Sequence, residues 1–319
     1  VAYVDDLMLW SSSPVRDLEE IAAMLPCAEI KPVDVHAQKH IGEDIYHTTR
    51  NTVITTMSSF IAQLPSFDEE LAKLPLEYQK FARKPSNLPL DEWEGCFASE
   101  KESAPIIELY RKMVGTLGWI ANGHPSVAFR FGELARYAHK PSPLAMRTLR
   151  GTLKELQDTK PQFLEFVPVR IPELRLWVDA AVSHHSGRRA WIAQIVDEDA
   201  SLICRHNIVG WRSSKDTMMH ASSTSGEVNA VHQMLLDVFD LFVLMRGILS
   251  QFPSIPFRIL SDSQSGISQI RNGGHTLKDR ERSKFIQYLL GELGGSIDSI
   301  EHVSGEIQLA DPLTKHKSC

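Results

Sequence analysis

Leu174-Arg175-Leu176-Trp177-Val178-Asp179-Ala180-Ala181-Val182 is an apolar, strand-forming stretch carrying a carboxylate, and its reading decides the fold. An unpaired charge in such a strand is costly, so Asp179 needs a partner brought from elsewhere in the chain. Downstream, turn residues set off two more strands, Ala190–Val196 and Asn207–Arg212. Thr224–Leu249 predicts a long helix, apolar almost all round and therefore central. A strand (Phe257–Ser261), a short helix (Gln264–Arg271), a second helix (Arg282–Leu293), a strand (Ser296–Val303) and a last short helix (Leu309–Lys315) follow. Three strands in succession and then alternating helices and strands predict an α/β sheet with helices packed on it.

Upstream the pattern changes. Val1–Leu9, Lys39–Tyr46 and Asn51–Thr56 read as short strands, and Ser58–Leu64 as a helix. Residues 65–105 are rich in Pro, Ser and acids and read as a loop-heavy connector. Ile106–Asn122, Pro125–His139 and Pro143–Leu156 have helical spacing, with Leu117, Ile120, Phe129 and Leu134 suited to helix–helix packing. Pro161, Pro168 and Pro172 mark a linker. The expected division is 1–60, 61–160, a linker over 161–172, and 173–319.

The 319 residues, 43% hydrophobic and 23% charged, have the composition of an ordinary globular protein of about two domains, not a disordered or fibrous one. Cys27, Cys96, Cys204 and Cys319 are widely spaced with no C-x-x-C pair, which argues against a zinc ribbon or a disulfide framework. With no secretory signal at the start, an intracellular setting, cytoplasm or nucleus, is expected. The most apolar run, Met234–Arg246, contains Asp237, Asp240 and Arg246 and reads as a buried helix rather than a membrane span. A net charge of −6 argues against a simple basic nucleic-acid binder, although from Ile171 onward 15 Lys/Arg stand against 17 Asp/Glu. If four of those acids hold metal, the remaining surface of that half is slightly basic.

Four acids stand where such a sheet brings side chains together: Asp179 in the first strand, Glu227 in the first turns of the long helix, Asp262 ending the fourth strand, and Asp311 opening the last helix ahead of Pro312. An Asp at a strand end or helix start is ordinarily a cap or turn residue. Asp179 is the hardest to read that way, and the set outweighs any one member. Carboxylates suit hard divalent ions such as Mg²⁺, and two such ions can activate water and stabilise the leaving oxygen of a phosphodiester.

The residues around these acids resemble the ribonuclease H domain of copia-type LTR retrotransposon polyproteins. Matching segments are Val178–Val182, the Arg188-Arg189 pair, Trp211-Arg212-Ser213-Ser214-Lys215, Ser222-Ser223-Thr224-Ser225-Gly226-Glu227, Asp262–Ile267, His275–Lys278 and, almost letter for letter, Gln308–Lys315. Ala181, Ser225 and Val228 depart from the family's acid, acid and tyrosine. Upstream, Tyr3-Val4-Asp5-Asp6 resembles the catalytic turn of a reverse transcriptase. Tyr110–Ala121 and His124–Phe129 resemble the region joining polymerase to ribonuclease H.

The resemblance implies an RNase H-like mixed five-stranded sheet flanked by helices, preceded by a truncated palm remnant and a helical thumb- or connection-like region. It implies Asp179, Glu227, Asp262 and Asp311 as the catalytic and metal-binding set, two Mg²⁺ ions (Mn²⁺ as a substitute), and an RNA–DNA hybrid as partner. Asp5 and Asp6 would be a polymerase remnant needing the missing N-terminal segments, since the chain opens on Val1 as a fragment of a longer polyprotein would. The other reading is a degenerate or domesticated, non-catalytic remnant that binds nucleic acid.

His275, Lys278, Arg280, Arg282 and Lys284 have two readings: a loop contacting phosphate, or a solvated helix start. His184 and His185 read as a surface turn, because neighbours on a strand point to opposite faces. Trp177, Trp191 and Trp211 read as core rather than base-stacking platforms.

Overall fold

The computed structural model describes residues 38–40, 42–82, 100–159, 162–182, 187–216, 222–248, 255–273, 277–292 and 300–315, with Arg16 and Glu19. The strand expected over Val1–Leu9, with Asp5 and Asp6, lies outside them, as do His184, His185 and His275.

The N-terminal part builds an antiparallel sheet from β1 (Gln38–His40), β2 (Glu43–His47), β3 (Val53–Thr56) and β4 (Phe163–Phe166), in that order. Where one strand was expected over Lys39–Tyr46 there are two, because Gly42 takes a positive φ of 83° and reverses the chain. The stretch read as linker contributes β4, whose phenylalanines form the two end pairs of a four-residue ladder to β3.

Helices α1 (Ser58–Ala62), α2 (Phe67–Ala72) and α3 (Leu76–Ala82) follow β3. Two of them lie inside the presumed connector. Its Ser and acids are helix-start chemistry rather than loop chemistry: the Ser66 amide donates to Glu69 Oε2 at 3.3 Å while Ser66 Oγ accepts from the Asp68 amide at 3.2 Å. Helix α4 (Glu100–Gly123) runs six residues ahead of the expected Ile106 and carries Pro105 within its early turns. With α5 (Ala128–Ala135, entered through a 3₁₀ turn at Pro125–Val127) and α6 (Pro143–Asp158), it encloses a core of Tyr110, Leu117, Ile120, Leu134, Met146 and Leu149. The Tyr110 hydroxyl donates to the Leu134 carbonyl at 2.8 Å, so this buried phenol is satisfied.

The C-terminal part is the mixed five-stranded sheet. Strands β5 (Pro172–Val182), β6 (Gly187–Asp197) and β7 (Ile208–Asp216) form an antiparallel meander. β8 (Phe257–Ser261) and β9 (Ile300–His302) add in parallel beyond β5, giving the order β7-β6-β5-β8-β9. The parallel connections run through helices, α7 (Ser223–Ile248) between β7 and β8, then α8 (Gln264–Arg271) and α9 (Leu277–Glu292) before β9. β7 extends four residues past the expected end. Its polar tail pairs with β6 at the sheet edge, where Arg212 and Lys215 can face water. α9 begins five residues earlier than expected, and of the strand expected over Ser296–Val303 residues 300–303 are described, of which Ile300–His302 form β9. The expected helix over Leu309–Lys315 is a single 3₁₀ turn, Asp311–Leu313. Gln308 constrains it, donating to the Val178 carbonyl at 2.9 Å and accepting from the Ala310 amide at 3.2 Å.

Alternation along β5 sorts its side chains. Leu174, Leu176 and Val178 pack with Val231, Leu235 and Val238 of α7 and Ile259 of β8. Trp177 falls on the other face with Ile192, Leu260, Ala310, Leu313 and, from α5, Ala128. The helical part therefore packs on the sheet face opposite α7. Trp211 Nε1 donates to the Ala121 carbonyl at 2.8 Å across this junction, Trp191 Nε1 donates to Asp237 at 3.1 Å and Trp177 Nε1 to Gln194 at 3.1 Å. All three indoles thus fill structural positions, with their N–H groups satisfied.

Among the described residues no helix is long and apolar enough to cross a membrane.

Candidate metal-binding carboxylate site

Asp179 stands in β5, paired with Ala190 of β6, and is 2% exposed. Asp262 follows β8, the parallel neighbour of β5, by one residue. Glu227 is the fifth residue of α7. Each of the three offers an oxygen within 4.8 Å of those of the other two. Asp311, buried at the start of the 3₁₀ turn, lies close enough to raise the Asp179 carboxyl but outside that trio, and it accepts from Lys315 Nζ. Of the four acids singled out in the sequence, three therefore converge and the fourth sits beside them with a cation of its own chain.

The electrostatics follow from burial and like charge. Burial pushes the Glu227 carboxyl from its ordinary 4.5 up to about 9, and the charges of Asp179 and Asp262 add to this. The Asp179 carboxyl is also pushed up, first by burial and then by Asp262 and Asp311, against a hydrogen bond from Thr314 Oγ1 and the attraction of Lys315. Glu227 Oε2 is buried and accepts no hydrogen bond. An orphan carboxylate oxygen among acids is what a cation would satisfy. The donors of the trio are all oxygen, with no His or Cys among them, which suits a hard divalent ion. The residues present thus fit the metal that the resemblance implies.

Close helix approach builds the trio. A Cβ placed on Gly266 of α8 would lie 3.1 Å from the Cβ of Glu227 and 3.0 Å from Ser263 Oγ, the N-cap hydroxyl that accepts from the Gly266 amide at 3.1 Å. Gly266→Ala is therefore expected to push α8 from α7 and to destabilise the protein by about 1–2 kcal/mol. A melting temperature equal to that of the wild type would refute this packing.

Of the basic candidates, Arg280 and Lys284 are exposed on α9, and Arg282 is half-buried. Arg282, with Arg189, depresses the His232 imidazole pKa, which burial already lowers. Lys278 lies in α9. Sequence reading assigned no role to Thr314 and Lys315, although both stand in the quoted Gln308–Lys315 segment. The signal was there in a hydroxyl and an ammonium three and four residues after a Pro-linked Asp, which are well placed to serve the acids.

A mixed five-stranded sheet in the order β7-β6-β5-β8-β9, flanked by helices, is an RNase H-like fold. No family model matches the chain, and no curated protein matches it. Among solved structures the chain is similar to RNase H1 from the halophilic archaeon Halobacterium salinarum NRC-1, at 20% identity and a TM-score of 0.32, over 44% of this chain and 94% of that one. It is also similar to LC11-RNase H1 in complex with an RNA/DNA hybrid, at 14% identity and 0.33, over 44% and 94%. A third is the N-terminal RNase H domain of rv2228c from Mycobacterium tuberculosis, fused to maltose binding protein, at 14% and 0.33, over 45% and 91%. The fold assignment rests on the strand order and crossovers described above.

Proposed function

We propose that this chain is a metal-dependent nuclease of the ribonuclease H kind, hydrolysing the RNA strand of RNA–DNA hybrids with Mg²⁺ as the natural ion. The observation that carries the reading is the convergence of Asp179, Glu227 and Asp262 from three separate elements, with Glu227 Oε2 buried and unpartnered. Asp179, Glu227 and Asp262 would hold the ions, two in number, and Asp311 would complete the set once released from Lys315. A bound divalent ion supplies Lewis acidity that lowers the pKa of an attacking water and neutralises charge at the phosphate. Thr314 orients Asp179 through its hydroxyl. Lys315, half-exposed, places positive charge beside the acids where a phosphate backbone would approach. Arg280, Arg282, Lys284, Lys278 and His275 are proposed as further phosphate contacts, and the hybrid would be read by shape and 2′-hydroxyls.

The segments matching copia-type polyproteins support an origin in such an element, with residues 1–60 a palm remnant carrying Asp5 and Asp6, 61–160 a thumb- or connection-like region, and 173–319 the nuclease. A second reading, a non-catalytic remnant that binds nucleic acid, is favoured by one observation: Lys315 neutralises Asp311 and holds it apart from the trio. Incubating the full chain with end-labelled RNA in a hybrid, in Mg²⁺ and in EDTA, decides between them. Mg²⁺-dependent cleavage of the hybrid but not of the RNA duplex is expected, and binding without cleavage would establish the remnant.

A further inference from the structure

Two motif segments quoted from the sequence, the Arg188-Arg189 pair and Trp211–Lys215, have no part in the function proposed above, yet the structure joins them to its site. Arg188, 6% exposed on β6, donates from Nη2 to Glu133 of α5 and from Nη1 to Ser213 Oγ of β7 at 2.9 Å, with its guanidinium 4.7 Å from the Phe129 ring centroid. Ser213 Oγ, having accepted from Arg188, donates to the Leu313 carbonyl at 2.6 Å. The next residue, Thr314, is 4% exposed and donates from Oγ1 to Asp179 Oδ2. The Thr314 hydroxyl, with one proton to give, also lies 3.0 Å from the Asp311 carbonyl. A guanidinium only donates, a carboxylate only accepts, and the Ser213 hydroxyl does one of each.

We propose that Glu133, Arg188, Ser213 and Thr314 form a positioning relay by which docking of helix α5 on the sheet sets the orientation of Asp179. The inference rests on the metal-site reading given above. Its physical basis is that Thr314 sits on a single 3₁₀ turn, too short to hold its own place. The turn is held from one side by Gln308, which is bonded to the Val178 carbonyl of β5, and from the other by Ser213. Ser213 is in turn fixed by a buried guanidinium whose second arm is anchored on another part of the chain. Groups that hydrogen-bond a ligating carboxylate hold it in the geometry the metal needs, and losing one costs about 10–100-fold in metal affinity or activity.

The test uses the full chain and four variants, Thr314→Val, Thr314→Ser, Ser213→Ala and the double Ser213→Ala/Thr314→Val. Two quantities are read: kcat and KM for hybrid cleavage, and the Mg²⁺ concentration at half-maximal rise in melting temperature. Thr314→Val, isosteric but without the donor, is expected to lose about 10–100-fold in kcat with little change in KM, and to need correspondingly more Mg²⁺. Thr314→Ser recovers most of that loss. Ser213→Ala falls in the same direction, and the double variant is no worse than Thr314→Val alone, because both act through one bond to Asp179. Equal losses in Thr314→Val and Thr314→Ser, or losses that multiply in the double variant, would overturn the relay. A wild type that responds to Mg²⁺ but cleaves no hybrid would refute the ribonuclease reading and leave the Mg²⁺ midpoints to judge the relay. No Mg²⁺ response in the wild type would overturn both.

Discussion

Asp262→Asn is expected to abolish hybrid cleavage, with a loss exceeding the roughly 100-fold that removing a mere support of a ligand can cause. The substitution keeps shape and packing but replaces one of the three carboxylates that meet within 4.8 Å by an amide. Metal affinity falls because a hard cation is held chiefly by carboxylate charge. The rise in melting temperature with Mg²⁺, which follows from binding only the folded state, should shrink with it. The metal-free protein should be as stable as the wild type or more so, because Asp262 is one of the charges that push Glu227 and Asp179 up. Cleavage at the wild-type rate would remove Asp262 from the site. Lost cleavage accompanied by a large drop in metal-free melting temperature would mean that the residue is structural.

The second large effect is a pH dependence of stability in the metal-free protein. The Glu227 carboxyl sits at about 9 in the folded chain against an ordinary 4.5. The folded state therefore keeps a proton that the unfolded state releases. Stability is full below the unfolded value, falls as pH rises between the two, and levels off above the folded value. In EDTA, from about pH 7 to about pH 9, stability should fall by up to about 1.4 kcal/mol per pH unit from this group. His124 and His232, whose pKa values burial lowers, act with the opposite sign, but the stability they add as pH rises is largely complete once their ordinary value of 6.5 is passed. Saturating Mg²⁺ should remove most of the slope, since a cation makes the ionised carboxylates the favoured form. Denaturant melts of the wild type and Glu227→Gln at both ends of the range give the answer. A flat wild-type profile, or an equal slope in Glu227→Gln, would contradict the buried, crowded Glu227 described here.

Both expectations depend on side chains that the sequence marks unequally. Asp179 was legible because a charge inside Leu176–Val182 has no local way to be satisfied, and the strand around it follows from apolar, β-forming residues. The order of strands and helices from residue 172 onward was legible for the same reason: hydrophobic period and turn residues act over a few neighbours, and this region obeys them. Local rules misread the chain where a residue's partner is distant. Phe163–Phe166 looked like linker between prolines, yet it pairs with β3 more than a hundred residues earlier, and Asn207 locks it there, accepting from the Val167 amide at 2.6 Å. The polar end of β7 fell outside the expected strand because an edge strand need bury only one face.

The four acids show the same division within one site. Residue type and place in the element order, sharpened by resemblance, mark Asp179, Glu227, Asp262 and Asp311 as a candidate set. Only the tertiary structure brings three of them within one ion's reach and sets Asp311 against Lys315. Only the tertiary structure, too, connects Glu133 of the helical part to Thr314 through Arg188 and Ser213. The sequence by itself determined which segments pair or coil, because those choices are settled by neighbours along the chain. Which carboxylates meet, how far their protons are held, and what holds them in place are settled by charge and hydrogen bonding across space, and these exist only once the sheet and its helices have closed.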